Sequence, residues 1–271
     1  MKSNVSLKDL YLPVEKMPMG DLLPKYDHIS GLLYAMVITL PSGEKRIVNY
    51  CSEDYHLVRN EEILPPLIEE VSRFYDIETN CIMRGYSRFY IDIILKNQEL
   101  VMDKNDKVYA KIRVANSYDG SRKYNFAMGF WRQICKNGLM GFTNWDSVNR
   151  MHTPGLEELT NFSKVMEMVS LFLAEAEDHF DKYRELHGQS VRNPLLRIEE
   201  IAEETDFPVS MVEEVTARLE EEKKTLNTSE VTDWLIYNAF NYQLNHNEEY
   251  KAKEERKAKI DSQVFNYLLS Y

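Results

Sequence analysis

"RVANSYDGSRKYNFAMGFWRQICKNGL", Arg113–Leu139, packs rings and cations around a tight turn. Asp119-Gly120 is a strong hairpin signal, because both residue types tolerate positive φ. With these two as the loop, Tyr118 faces Ser121. Ala110, Ile112 and Val114 then share a small, apolar face with Ala127 and Gly129, suited to lying beneath a helix. The opposite face gathers Tyr109, Lys111 and Arg113 with Tyr124, Phe126, Met128 and Phe130. A bulge of one residue would break this cross-strand matching while each strand kept its own alternation.

The same chemistry precedes the hairpin. In "RGYSRFYIDIIL", Arg84–Leu95, one face collects Phe89, Ile91, Ile93 and Leu95, and the other Arg84, Tyr86, Arg88, Tyr90 and Asp92. A period of two is that of a strand. Earlier, "LYAMVITL" and "KRIVNY" flank the turn "PSGE" as a further hairpin. "EEILPPLIEEVSRFY" reads as helical after its prolines, burying Ile68, Val71 and Tyr75. Residues 1–30 are broken by Pro13, Pro18 and Pro24.

Downstream the period changes. Thr153 suits an N-cap and Pro154 a first helical position. Leu159, Phe162, Met166, Val169, Leu173, Ala176, Phe180 and Tyr183 then recur at steps of three and four, predicting a helix over Gly155–His187 with a heptad rhythm. Shorter helices are expected at Leu196–Glu204 and Ser210–Lys224. Ser229 is expected to cap "EVTDWLIYNAFNYQLNH", and "VFNYLLSY" again has helical spacing. The expected fold is α+β: an antiparallel sheet with one packed helix and an irregular N-terminus in residues 1–153, then a long helix and a mainly helical, acidic region in residues 154–271.

Charge supports that division. The chain has 271 residues and a net charge of −11. Residues 1–155 carry +1 and residues 156–271 carry −12. Over residues 84–136, eleven Lys and Arg face five Asp and Glu, a local +6 inside an acidic protein. Cys51, Cys81 and Cys135 are scattered without a CxxC pattern, which argues against a structural zinc site and fits buried thiols in a reducing compartment. The N-terminal residues are charged where a secretory leader needs an apolar run, and no apolar stretch reaches membrane-spanning length. A cytoplasmic protein with no membrane association is expected.

Two readings of the ring-rich face stay open. Tyrosine and phenylalanine form strands well, so the face could be packed beneath other segments with Lys and Arg reaching its rim. If it is open, bases stack on rings, each worth roughly 1–3 kcal/mol, and cations follow phosphates. On that reading Arg84, Arg88, Lys111, Arg113, Arg122 and Lys123 hold phosphates, and Tyr86, Tyr90, Tyr109 and Tyr124 stack.

"ANSYDGS" followed by "FWRQICKNGL" resembles the signature of a phage- and plasmid-encoded family, domain of unknown function 932. "EDYHLVRNEEIL", "NRMHTPGLEE" and "TDWLIYNAFNYQLNH" are similar to three further segments of that family, covering roughly Leu33 to His246. Tyr118 stands where the family usually has His, and Asn245 where Asp is common, which weakens a His/Asp metal or acid–base site. The resemblance implies an origin in a phage, prophage or plasmid and supplies no mechanism. Its hairpin, helix and antiparallel strands are similar in outline to phage single-strand annealing proteins, a fold-level analogy.

No Walker A loop, GxGxxG, GxSxG or HExxH occurs. His56, His152 and His246 are the histidines in family-like segments. His246 shares a helical face with Asn238 and Tyr242, a pattern that suits a satisfied structural cluster. Asp92, Asp119 and Asp146 are the carboxylates near the basic sheet, with nothing in their spacing to single them out. The presumed recognition helix of a helix-turn-helix, Ser210–Lys224, carries Glu213, Glu214, Glu220, Glu221 and Glu222, which would repel phosphates. The expectation is a protein that binds single-stranded nucleic acid and assists recombination or strand annealing without catalysis. It needs no cofactor or metal, and its heptad helix favours a homo-oligomer. The competing expectation is a host-takeover or anti-defence module that binds a host protein through the acidic helical half.

Overall fold

In the computed structural model of the chain, the described residues are 2–22, 33–122, 124–133, 137–139, 148–150, 162–247, 249–252 and 254–270. The strands are β1 (Lys2–Val5), β2 (Val14–Pro18), β3 (Tyr34–Thr39), β4 (Lys45–Cys51), β5 (Ile77–Arg84), β6 (Arg88–Asp103), β7 (Asp106–Ser117), β8 (Tyr124–Arg132), β9 (Asn137–Leu139) and β10 (Val148–Arg150). The helices are α1 (Met19–Leu22), α2 (Asn60–Ser72), α3 (Phe162–Gly188), α4 (Pro194–Glu204), α5 (Val212–Leu226), α6 (Asp233–His246) and α7 (Glu254–Leu269). This is an α+β fold with a helical C-terminal half. The pairings with a resolved register are antiparallel. One sheet runs β1-β5-β6-β7-β8-β10, with β9 also on β8, and a separate sheet runs β2-β3-β4.

The contacts fall into two compact units: residues 1–97, 111–128 and 146–170 form the first, and residues 98–110, 129–145 and 171–271 the second. Each unit takes one stretch of β6, β7 and β8.

In the first unit, the stretch Arg84–Leu95 is not one strand. β5 ends at Arg84, and the chain reverses through Gly85 and Tyr86, at φ 61° and 62°, before β6 begins at Arg88. Alternation continues through the reversal, so the period of two conceals it. The second turn also differs from the sequence expectation. β7 stops at Ser117 and β8 starts at Tyr124, so Tyr118 and Ser121 lie in the loop. Gly120 takes φ +68°, whereas Asp119 does not enter the left-handed region. The Asp119 carboxylate accepts instead from Ser121 N at 3.0 Å, an Asx turn.

α2 starts before its prolines and carries Pro65 and Pro66 inside it. Its first turn is held from outside: Tyr118 Oη accepts from Asn60 N at 3.0 Å, and Arg59 pairs with Glu62 at 2.9 Å. Its buried stripe is Ile63, Leu64, Leu67 and Val71, with Ile68 and Tyr75 half-buried.

In the second unit α6 is buried on nearly every side, from Trp234 through Leu244. Thr232, rather than Ser229, is its N-cap, accepting from Leu235 N at 3.4 Å. Tyr183, Trp234, Tyr237 and Phe265 form a continuous ring cluster, and Phe130 packs against Phe172, Phe180 and Tyr183. From Val165 onwards, the buried residues of α3 are Val165, Val169, Phe172, Ala176, Phe180, Tyr183 and Leu186. The stripe thus takes Phe172 where the heptad count has Leu173, because Phe172 has Phe130 to meet. The expected cap Thr153-Pro154 lies outside the described residues.

Candidate nucleic-acid interface

The hairpin formed by β5 and β6 sets Arg84 opposite Arg88. Like charges directly opposed across strands repel, and each guanidinium finds a different partner. Arg88 Nε donates to Asp119 Oδ2 at 2.7 Å, and Ser87 Oγ donates to the same oxygen at 2.9 Å. Arg84 lies over the Tyr90 ring, 5.4 Å from its centroid, and Arg122 lies over the same ring at 5.1 Å. Both distances are within cation–π range. Tyr90 is 8% exposed. The ring is therefore a platform beneath two guanidiniums.

One step along the same face, Asp92 is buried and accepts two hydrogen bonds from Arg113, at 2.6 and 2.7 Å. Lys111 Nζ, also buried, lies 3.5 Å from Asp92 Oδ2, an ion pair without a hydrogen bond. Burial alone would raise the Asp92 carboxyl, but Arg113 and Lys111 outweigh it and hold the group well below the usual carboxylate range. Burial, reinforced by Arg113, lowers the Lys111 ammonium to about 8 against the pull of Asp92. Cations exceed carboxylates on this face.

The structure separates the sequence-derived residues sharply. Arg84, Arg113 and Arg122 are half-buried, and Arg88 and Tyr86 are exposed. Tyr90, Lys111 and Tyr124 are buried in the first unit. Tyr109 belongs to the second unit, where it is buried with its ring 5.9 Å from Trp131. Lys123 lies outside the described residues. The expectation of an open tyrosine face is thus corrected at Tyr90, Tyr109 and Tyr124: strand rings facing neighbouring layers gain more by burial than by standing in water. Lys111 is likewise drawn inward, by Asp92. What reaches the surface is guanidinium, with Tyr86 as the exposed ring.

The family-like segments meet one another in the interior. Asn116 of "ANSYDGS" donates from Nδ2 to Val58 O and to Asn60 Oδ1, both at 3.0 Å, and Asn60 Nδ2 donates to Leu10 O at 2.9 Å. Val58 and Asn60 belong to "HLVRNEEIL". In the second unit, Arg132 of "FWRQICKNGL" binds Asp106 through Nε and Nη2, at 2.7 and 2.6 Å. Trp234 of "TDWLIYNAF" donates to Asp106 Oδ2 at 2.9 Å. Residues of these segments hold the interior together, and sequence reasoning had no signal for either junction.

Other candidates are also placed. His246 stacks on Tyr242 at 4.7 Å, and Arg218 lies 3.9 Å above the same ring. Asn238 is buried and donates to Trp234 O at 2.7 Å. Glu222 of α5 is buried. His152 and Asp146 lie outside the described residues. Among the described residues no group of three or more His, Cys, Asp or Glu is arranged to hold a metal ion, and no helix is long and apolar enough to cross a membrane.

No curated protein and no solved structure matches the chain significantly. Residues 48–264 match the family described as Domain of unknown function (DUF932). That span holds Asn60 and Asn116, the arginine layer and the buried Arg132 network, and the chain belongs to this family.

Proposed function

We propose that the chain is a phage- or plasmid-type protein that binds single-stranded nucleic acid and assists recombination or strand annealing without catalysis. The observation carrying this reading is the pair Arg84 and Arg122 over Tyr90, flanked by Arg113 on Asp92. A guanidinium stacked on a ring is pre-oriented for the phosphates of a passing strand, and Arg suits this better than Lys. Recognition on this face is phosphate-directed, because Tyr90 and Tyr124, expected to stack, are buried.

Fluorescence anisotropy with a labelled oligonucleotide tests it. Binding is expected at about 50 mM salt and should weaken steeply towards about 200 mM, with a logarithmic slope of about −0.7 per phosphate neutralised. The double variant Arg84→Ala/Arg122→Ala should weaken binding for every sequence alike and flatten that slope. Failure of the wild-type chain to bind at the lower salt concentration ends the reading.

A second reading is favoured by the exposed Leu195, Leu196 and Val209, which stand among exposed glutamates of the helical half. It is capture of a host protein by this surface. It predicts a stable host complex in a pull-down together with indifference to oligonucleotides.

A further inference from the structure

We infer that the groove beside Tyr86 receives one unstacked base of the strand, an inference that rests on the phosphate reading above. The groove encloses about 470 Å³ within the first unit, inside the roughly 300–1,000 Å³ range of small-molecule sites. Leu12, Leu40 and Met83 give it apolar walls, and Lys8, Asp9 and Tyr86 supply its polar groups.

Tyr86 points to the ligand. Two non-glycine residues among those described have positive φ, Tyr86 and Asn227. Asn227 is a helix C-cap, where that conformation is habitual. Tyr86 sits at a hairpin tip and is 38% exposed. A ring-bearing residue is strained there, and this one lines the groove with part of its surface open to solvent. A base stacked on the ring covers that open part.

Asp9 offers the base a hydrogen-bond acceptor. Its Oδ2 accepts from Ser6 Oγ at 2.7 Å and from Ser6 N at 2.8 Å, and these bonds, the side-chain one foremost, lower its pKa. An ionised carboxylate accepts from the exocyclic amino group of adenine, cytosine or guanine, a bond no phosphate can supply. The apolar walls of Leu12, Leu40 and Met83 suit the faces of a base. Met83 and Arg84 are adjacent in β5 and so point to opposite faces. The groove and the arginine layer therefore lie on the two sides of one strand end, with the Tyr86 tip between them. A strand crossing that tip places its phosphates on one side and a base on the other. Bases paired in a duplex cannot do this, so the site makes the single strand the preferred ligand.

The test uses the full chain and a single-stranded oligonucleotide carrying 2-aminopurine, followed by anisotropy and by base fluorescence. Wild type and Tyr86→Phe should bind and change the 2-aminopurine emission. Tyr86→Gly keeps the turn's backbone and removes the ring. It should abolish the emission change and weaken binding roughly 5- to 150-fold, the range for one lost base–ring stack. A same-length duplex should bind more weakly than the single strand. Salt-sensitive binding with no emission change, or equal affinity for duplex, overturns the base site and leaves the phosphate face standing. No anisotropy change at low salt overturns both.

Discussion

Arg132 Nη1 lies 2.6 Å from Glu222 Oε2, joining residues 90 positions apart, and neither side chain has any exposure. The other edge of the guanidinium is taken by Asp106, so one cation holds two buried carboxylates. Trp234 closes the group from both directions: its Nε1 donates to Asp106, and its ring lies 5.3 Å from the Arg132 guanidinium carbon. Removing one partner from such a network strands the others in the interior. Arg132→Ala is expected to cost about 3–5 kcal/mol, read as a lowered urea midpoint. Arg132→Lys should also be destabilising, because an ammonium cannot reproduce the two-pronged contact.

The Asp92 and Lys111 pair gives the stability–pH curve two limbs. Asp92 has a depressed folded pKa, so its contribution is complete above its unfolded value near 3.8 and is lost as pH falls below it. Lys111 is depressed too, but for an ammonium the sign reverses. It costs stability below about 8, and the cost fades as pH rises towards the unfolded value of 10.5. Asp92→Asn, which leaves Lys111 and Arg113 uncompensated, should cost about 3–5 kcal/mol at neutral pH and flatten the acid limb. Lys111→Met should cost less and flatten the alkaline limb. Denaturant titrations across pH check both.

Asn116 and Tyr118 reach α2 from the end of β7. Asn116→Ala leaves Val58 O and Asn60 Oδ1 without their donor, and Tyr118→Phe leaves Asn60 N without its acceptor. Each buried group left unpaired costs about 1–3 kcal/mol. The larger loss is therefore expected for Asn116→Ala, measured by thermal or urea unfolding. Slower hydrogen exchange at Asn60 in wild type than in Tyr118→Phe would confirm the cap.

Gly120 is constrained by both backbone and neighbour. Its φ of +68° disfavours a side chain, and an added Cβ would come within 2.8 Å of Asn49 Nδ2. Gly120→Ala is expected to lower stability by about 1–3 kcal/mol. Because the clash is with the end of a flexible side chain, Asn49→Ala should recover part of the loss. Recovery of the whole would show that the backbone conformation is not costly.

Much of the secondary structure was legible in the residues. The alternation of Phe89, Ile91, Ile93 and Leu95, the hairpin around "PSGE" and the helical steps after Phe162 are local. Covalent geometry imposes periods of 2 and about 3.6 whatever the surroundings. The α+β class and the acidic helical half followed from those periods and from charge. The reversal at Gly85 and Tyr86 escaped, because a tight turn flanked by alternating residues prolongs the same pattern.

The fate of each face was decided only in three dimensions. Arg84, Tyr90 and Arg122 are ordinary strand and loop residues in sequence, and only the fold brings both guanidiniums over one ring. Asp92 gave no sign that it would gather Arg113 and Lys111, nor Arg132 that it would meet Glu222. Alternation states that two sides of a strand differ, whereas burial depends on what distant chain arrives to cover them. Hydrogen-bonding and ionic partners taken out of water are chosen by that arrival, which no local spacing encodes.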